Sequence, residues 1–132
     1  MPPDRTEAPP PGRLVLVVED EALIAMHLEW LLGRHGWRVL GPVATVARAL
    51  RLLDGGGEVP DVALLDVDLR GEAATSVAAR LRTLGVPFVV ASACDGAQLA
   101  ALGLAGAPSV GKPAPEGVLL AALERAARSV MA

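Results

Sequence analysis

The chain has 132 residues, 52% of them hydrophobic, 20% charged and 2% aromatic, with a net charge of −3. That length supports one compact domain with a self-sufficient core, and that hydrophobic share excludes a disordered chain. With neither a basic stripe nor stacking aromatics, nucleic acid is excluded as a direct partner.

Residues 1–12 hold five prolines beside Asp4, Arg5 and Glu7, and read as a flexible tail without the apolar stretch of a secretion signal. Leu14 to Val18 is a continuous apolar run, the mark of a strand buried on both faces. Glu19-Asp20-Glu21 follows, then a helix to about His35 with Ile24, Leu28 and Leu31 one turn apart, ended by Gly36. Trp37 to Val43 is a second strand, which Gly41-Pro42 is expected to close. Thr45 is placed as the N-cap of a helix carrying Val46, Leu50 and Leu53 and stopped by Gly55-Gly56-Gly57. Val62 to Leu65 is a third strand that delivers Asp66 at its end. Ala73 to Leu84 is helical, with Val77, Leu81 and Leu84 on one face and Gly85 as its stop. Phe88 to Ala91 is a fourth strand running into Ser92. Asp95 to Gly106 is a poor helix, interrupted by Gly103 and Gly106. Ser109-Val110 is a short fifth strand before Lys112, and a last helix spans Pro115 to Val130 with Val118, Leu119, Ala122 and Leu123 inward.

Strands alternating with helices give an α/β class with an open parallel sheet and helices on both faces. Ligands of such sheets bind beyond the carboxyl ends of the strands. That edge collects Glu19, Asp20, Asp66, Ser92 and Lys112. Carboxylates converging there repel one another unless a cation intervenes, and an oxygen-only set suits Mg²⁺. A carboxylate is also a nucleophile able to form an aspartyl phosphate, with an ammonium and a hydroxyl compensating the phosphoryl charge. Of the twelve basic residues, Lys112 is the single lysine. A compact ammonium is not replaced by arginine, which points to a functional role; a solvated loop lysine is the plainer reading.

The run Val15 to Glu21 resembles the first strand and acidic pocket of bacterial two-component response-regulator receiver domains. Leu64-Leu65-Asp66-Val67-Asp68-Leu69 is similar to their phospho-acceptor strand, and Gly111-Lys112-Pro113 to their Lys-Pro signature. The resemblance covers residues 13–130 in order and implies the CheY-like, flavodoxin-like fold: a doubly wound five-stranded parallel sheet of order 2-1-3-4-5. It implies that Asp66 accepts the phosphoryl group, that Glu19, Asp20, Asp66 and the main-chain carbonyl of Asp68 hold Mg²⁺, and that Ser92 and Lys112 contact phosphoryl oxygens. The implied partners are a histidine kinase or histidine phosphotransfer protein and a downstream protein, in a phosphorelay. Val86 to Ser92, with Leu69 to Glu72, is similar to the stand-alone receivers that carry a "FATGY" strand. Since only one helix follows Lys112, no output module is expected, and self-phosphorylation alone does not make the chain an enzyme. Two departures stand out: Glu19 replaces the commoner aspartate, and Ser109 falls where many receivers have a signalling aromatic ring.

Plainer readings compete at single positions. The acidic run also fits a helix N-terminus, Asp66 a turn and Ser92 a local cap. A receiver-like binding module that does not cycle phosphate is the main alternative. The Asp66-x-Asp68 pair also resembles the nucleophile motif of haloacid-dehalogenase-type phosphatases, although there it usually sits on the first strand. His27, near the inward face of the first helix, and His35, near its C-terminus, read as structural, and Cys94 as inert. Met26, Trp30 and Gly33 form a second helical stripe opposite the core stripe. It fits scattered exposure, or a contact surface for a partner or a second copy. A single cysteine, and no apolar run near the ~20 residues of a membrane span, lead us to expect a cytoplasmic protein.

Overall fold

Five consecutive buried residues make β1 (Leu14–Val18), and its place at the sheet centre explains them. It pairs in parallel with β2 (Arg38–Val43) on one side and β3 (Val62–Asp66) on the other. β3 pairs in turn with β4 (Phe88–Ser92), and β4 with β5 (Ser109–Gly111), so the all-parallel order is 2-1-3-4-5. The computed structural model describes residues 14–69, 72–92, 104, 107–111 and 114–131, with the backbone alone at 68, 72, 73 and 129–131. The Pro-rich tail, Cys94, most of the weak helix expected from Asp95 to Gly106, and Lys112 lie outside the described residues.

The two faces of the sheet are divided by the strand period. Val15, Val17, Leu64 and Val89 meet Leu28, Leu31 and Leu32 of α1 (Ala22–Arg34) and Leu119 and Leu123 of α4 (Glu116–Met131). Their neighbours Leu16, Val18, Leu65 and Val90 point the other way, onto Ala49 and Leu53 of α2 (Val46–Asp54) and Val77, Ala78 and Leu81 of α3 (Thr75–Leu84). Each such side chain gains roughly 1.5–3 kcal/mol from burial, so the body of the sheet is reserved for apolar residues. Among the described residues, the buried polar ones, Glu19, Asp66 and Ser92, all stand at strand ends.

Several local features follow the sequence closely. Thr45 caps α2, its hydroxyl oxygen accepting the Arg48 N–H at 3.1 Å. Gly85 ends α3 in the left-handed conformation at φ 74°. Three features differ from expectation. The α3 helix starts at Thr75 rather than Ala73, because Glu72–Ala73 turn back to pair with Asp68–Leu69 in a two-residue antiparallel ribbon. Val118 is 53% exposed, leaving Leu119 and Leu123 to face the sheet. Gly41-Pro42 does not close β2, because both residues lie within it, joined by a cis peptide bond.

The β2 strand can carry Pro42 because it lies at the sheet edge, where an unpaired backbone position is tolerated. The register against β1 slips between Leu16 and Val18. Gly41, at φ 95°, makes this approach possible: a Cβ there would stand 2.8 Å from the Val43 nitrogen and 3.1 Å from the Val17 carbonyl oxygen. The strand then ends with the Val43 carbonyl accepting the Glu19 N–H at 2.9 Å, so the irregular edge fixes the first acidic residue of the site. Gly41→Ala combines a disfavoured φ with a backbone clash and is expected to cost about 2 kcal/mol or more, read from urea unfolding midpoints. An unchanged midpoint would contradict this account of β2.

Candidate functional site

The site is assembled at the ends of three strands. Glu19 is the first residue beyond β1 and only 4% exposed. Its backbone is held by Val43, and its own Oε2 accepts the Glu21 N–H at 3.1 Å, which turns the chain into α1. Asp20 follows, half-buried. Asp66 is the last residue of β3, 6% exposed and in register with Ala91 of β4. Beyond it the backbone is stitched on both sides: the Val67 N–H donates to the Ala91 carbonyl at 3.2 Å, and the Val67 carbonyl accepts the Ala74 N–H at 3.1 Å.

These ends bring Glu19, Asp20 and Asp66 together, with one carboxylate oxygen from each within 4.8 Å of the others. Like charges held this close repel one another. Three hard oxygen donors with two of the carboxylates buried fit a small divalent cation that keeps some of its waters. Ser92 ends the neighbouring strand β4, buried at 6% exposure and in register with Gly111 of β5. The backbone of Asp68 lies two residues past Asp66, in the antiparallel ribbon. Ser109 is exposed at the start of β5, and only Val110 of that strand is buried.

One feature of the site escapes sequence reasoning. An open apolar groove of about 710 Å³ runs between α1 and α4 beside the acidic cluster, with Leu64 and Val110 in its lining and Glu19 and Glu116 among its polar residues. His27 is half-exposed here rather than turned inward, and its Nε2 lies 3.2 Å from Glu116 Oε2 on α4, bridging the two helices. Its position on α1 adjoins both the buried and the exposed stripe, so helical spacing alone could not decide its direction. His35 is structural as expected, its Nδ1 lying 3.0 Å from the Leu31 carbonyl oxygen.

No protein-family model matches the chain, and no curated protein matches it. Solved structures do. A CheY-like receiver domain from Methanospirillum hungatei aligns at a TM-score of 0.77 and 20% identity, covering 89% of this chain and 95% of that one. The N-terminal domain of a response regulator/sensory box/GGDEF protein from Carboxydothermus hydrogenoformans aligns at 0.74 and 28% identity, covering 87% and 94%. A Burkholderia pseudomallei response regulator, solved with a phosphorylated aspartic acid, a calcium ion and citrate, aligns at 0.73 and 27% identity over 89% and 70%. Sheet order, helix placement and these neighbours agree: the chain carries the receiver fold of the CheY-like response regulators.

Proposed function

We propose that this chain is a response-regulator receiver that accepts a phosphoryl group on Asp66 from a phosphohistidine of a histidine kinase or phosphotransfer protein. The observation that carries this reading is the convergence of Glu19, Asp20 and Asp66 at the carboxyl ends of β1 and β3. The phosphorylated aspartic acid and the calcium ion of the Burkholderia neighbour support it.

In the proposed step an Asp66 oxygen attacks phosphorus as the P–N bond to the donor imidazole breaks. The imidazole leaves with the bonding pair, and the phosphoryl group ends as a mixed anhydride on the carboxylate. Burial of Asp66 at a stitched strand end holds the attacking oxygen in place, which is most of what phosphoryl transfer asks of a protein. Glu19, Asp20, Asp66 and the main-chain carbonyl of Asp68 would hold Mg²⁺. Bound there, the ion supplies neutralising charge for the phosphoryl oxygens. The Ser92 hydroxyl would donate to one phosphoryl oxygen, and the Lys112 ammonium would pair with another. The chain ends the step carrying one phosphoryl group, in contrast to the turnover of a phosphatase, and a protein partner reads that state in the cytoplasm.

The alternative of a binding module that does not cycle phosphate draws on Ser109, exposed on β5 where a buried aromatic switch would otherwise report the state of the site. Two experiments separate the readings. Thermal unfolding with and without Mg²⁺ should show a stabilisation of about 1–2 kcal/mol by the ion, a shift of a few degrees. Asp20→Asn should unfold at a higher temperature than the native chain in metal-free buffer, because one repulsive charge is gone, and should lose the Mg²⁺ response. Rapid-quench intact mass after incubation with Mg²⁺ and a small acyl-phosphate donor should show one added phosphoryl group on the native chain and none on Asp66→Asn. An Mg²⁺-insensitive native chain without adduct would favour the binding module.

A further inference from the structure

Beyond Asp66 the chain does not leave the core. Leu65, Val67 and Leu69 all enter the core shared with α2 and α3, so the strand alternation runs on past the end of β3. Leu69 is 1% exposed and Ala74 is buried, and the ribbon of Asp68–Leu69 against Glu72–Ala73 is rooted between them.

The bonding of this ribbon has a definite phase. In an antiparallel pair, residues joined by hydrogen bonds alternate with residues that are not. The Val67 carbonyl accepts the Ala74 N–H, so Leu69 and Glu72 form the next bonded pair, and Asp68 faces Ala73 in a pair without bonds. The Asp68 carbonyl therefore takes no part in the ribbon that holds it. It is fixed through its neighbours, two residues past Asp66.

A main-chain carbonyl differs from a carboxylate as an ion ligand. It offers an oxygen without adding to the repulsion among Glu19, Asp20 and Asp66. It also has no rotamer with which to correct a misplaced backbone. Mg²⁺ demands near-ideal octahedral geometry at about 2.0–2.1 Å, whereas Ca²⁺ accepts about 2.3–2.6 Å and irregular coordination. Precise placement of a carbonyl therefore matters most for the smaller ion.

We propose that the ribbon of Asp68–Leu69 and Glu72–Ala73 is a positioning device that fixes the Asp68 carbonyl and so favours Mg²⁺ over Ca²⁺. Leu69 and Glu72 are the positioning residues, one through its buried side chain and the other through its backbone N–H. The proposal rests on the reading of the acidic cluster as a cation site.

Isothermal titration of the full chain with Mg²⁺ and, separately, with Ca²⁺ tests this. Glu72→Pro removes the backbone donor of the bonded pair, whereas Glu72→Ala keeps it and changes only the side chain. Glu72→Pro should weaken Mg²⁺ binding more than about tenfold and Ca²⁺ binding less than about threefold. Glu72→Ala should bind both ions as the native chain does. Leu69→Val loosens the same ribbon from its buried end and should show the same order of loss, so the test stands even where the proline variant fails to fold. Equal losses for both ions, or Mg²⁺ affinity that survives these changes, overturn the proposal and leave the cation site in place. A native chain that binds neither ion overturns the reading of the cluster itself.

Discussion

Mutual repulsion among three carboxylates, at the mouth of a sheet otherwise filled with apolar side chains, is the constraint around which this molecule is arranged. Glu19, Asp20 and Asp66 would separate if their backbones were free to move. They are not: Glu19 is tied to the end of β2 through the Val43 carbonyl, and Asp66 precedes a residue bonded to both β4 and the start of α3. The cores on the two faces of the sheet supply the energy that keeps those strand ends side by side. Local instability at the edge is thereby exchanged for a place where positive charge is welcome.

The same constraint gives the irregular strand β2 its purpose. The slip at Gly41-Pro42 brings the Val43 carbonyl opposite the Glu19 N–H. Glu19 is one methylene longer than aspartate, and its Oε2 is engaged by the Glu21 N–H, so the longer arm is drawn back along the first turn of α1. The substitution is therefore accommodated by backbone geometry close to the site. Groove and acidic cluster share Glu19, which joins an apolar surface to a polar centre.

Much of the fold was legible in the sequence, and for definite reasons. Leu14–Val18 and Val62–Leu65 are uninterrupted apolar runs because strands with helices on both faces have no solvent side to mark. Asp66 and Ser92 stood out because a polar residue ending such a run has to lie at the sheet edge. Gly41-Pro42 reads locally as a terminator, but the strand order 2-1-3-4-5 puts this strand at the sheet edge, where proline is tolerated. His27 and Val118 read as inward-facing because each adjoins a buried stripe, and helix phase at a stripe's border is set by tertiary packing. The groove and the His27–Glu116 bridge depend on two helices far apart in the chain lying side by side, which local spacing cannot show.

The most direct test of the account is whether the acidic cluster binds a phosphoryl mimic together with its cation. Beryllofluoride binding, followed by ¹⁹F NMR in the presence and absence of Mg²⁺, reads this without a kinase and without the risk that a real phosphoprotein hydrolyses unseen. The account predicts bound fluoride resonances that require Mg²⁺ and vanish in Asp66→Asn. Their absence from the native chain, or their persistence in the variant, would contradict it.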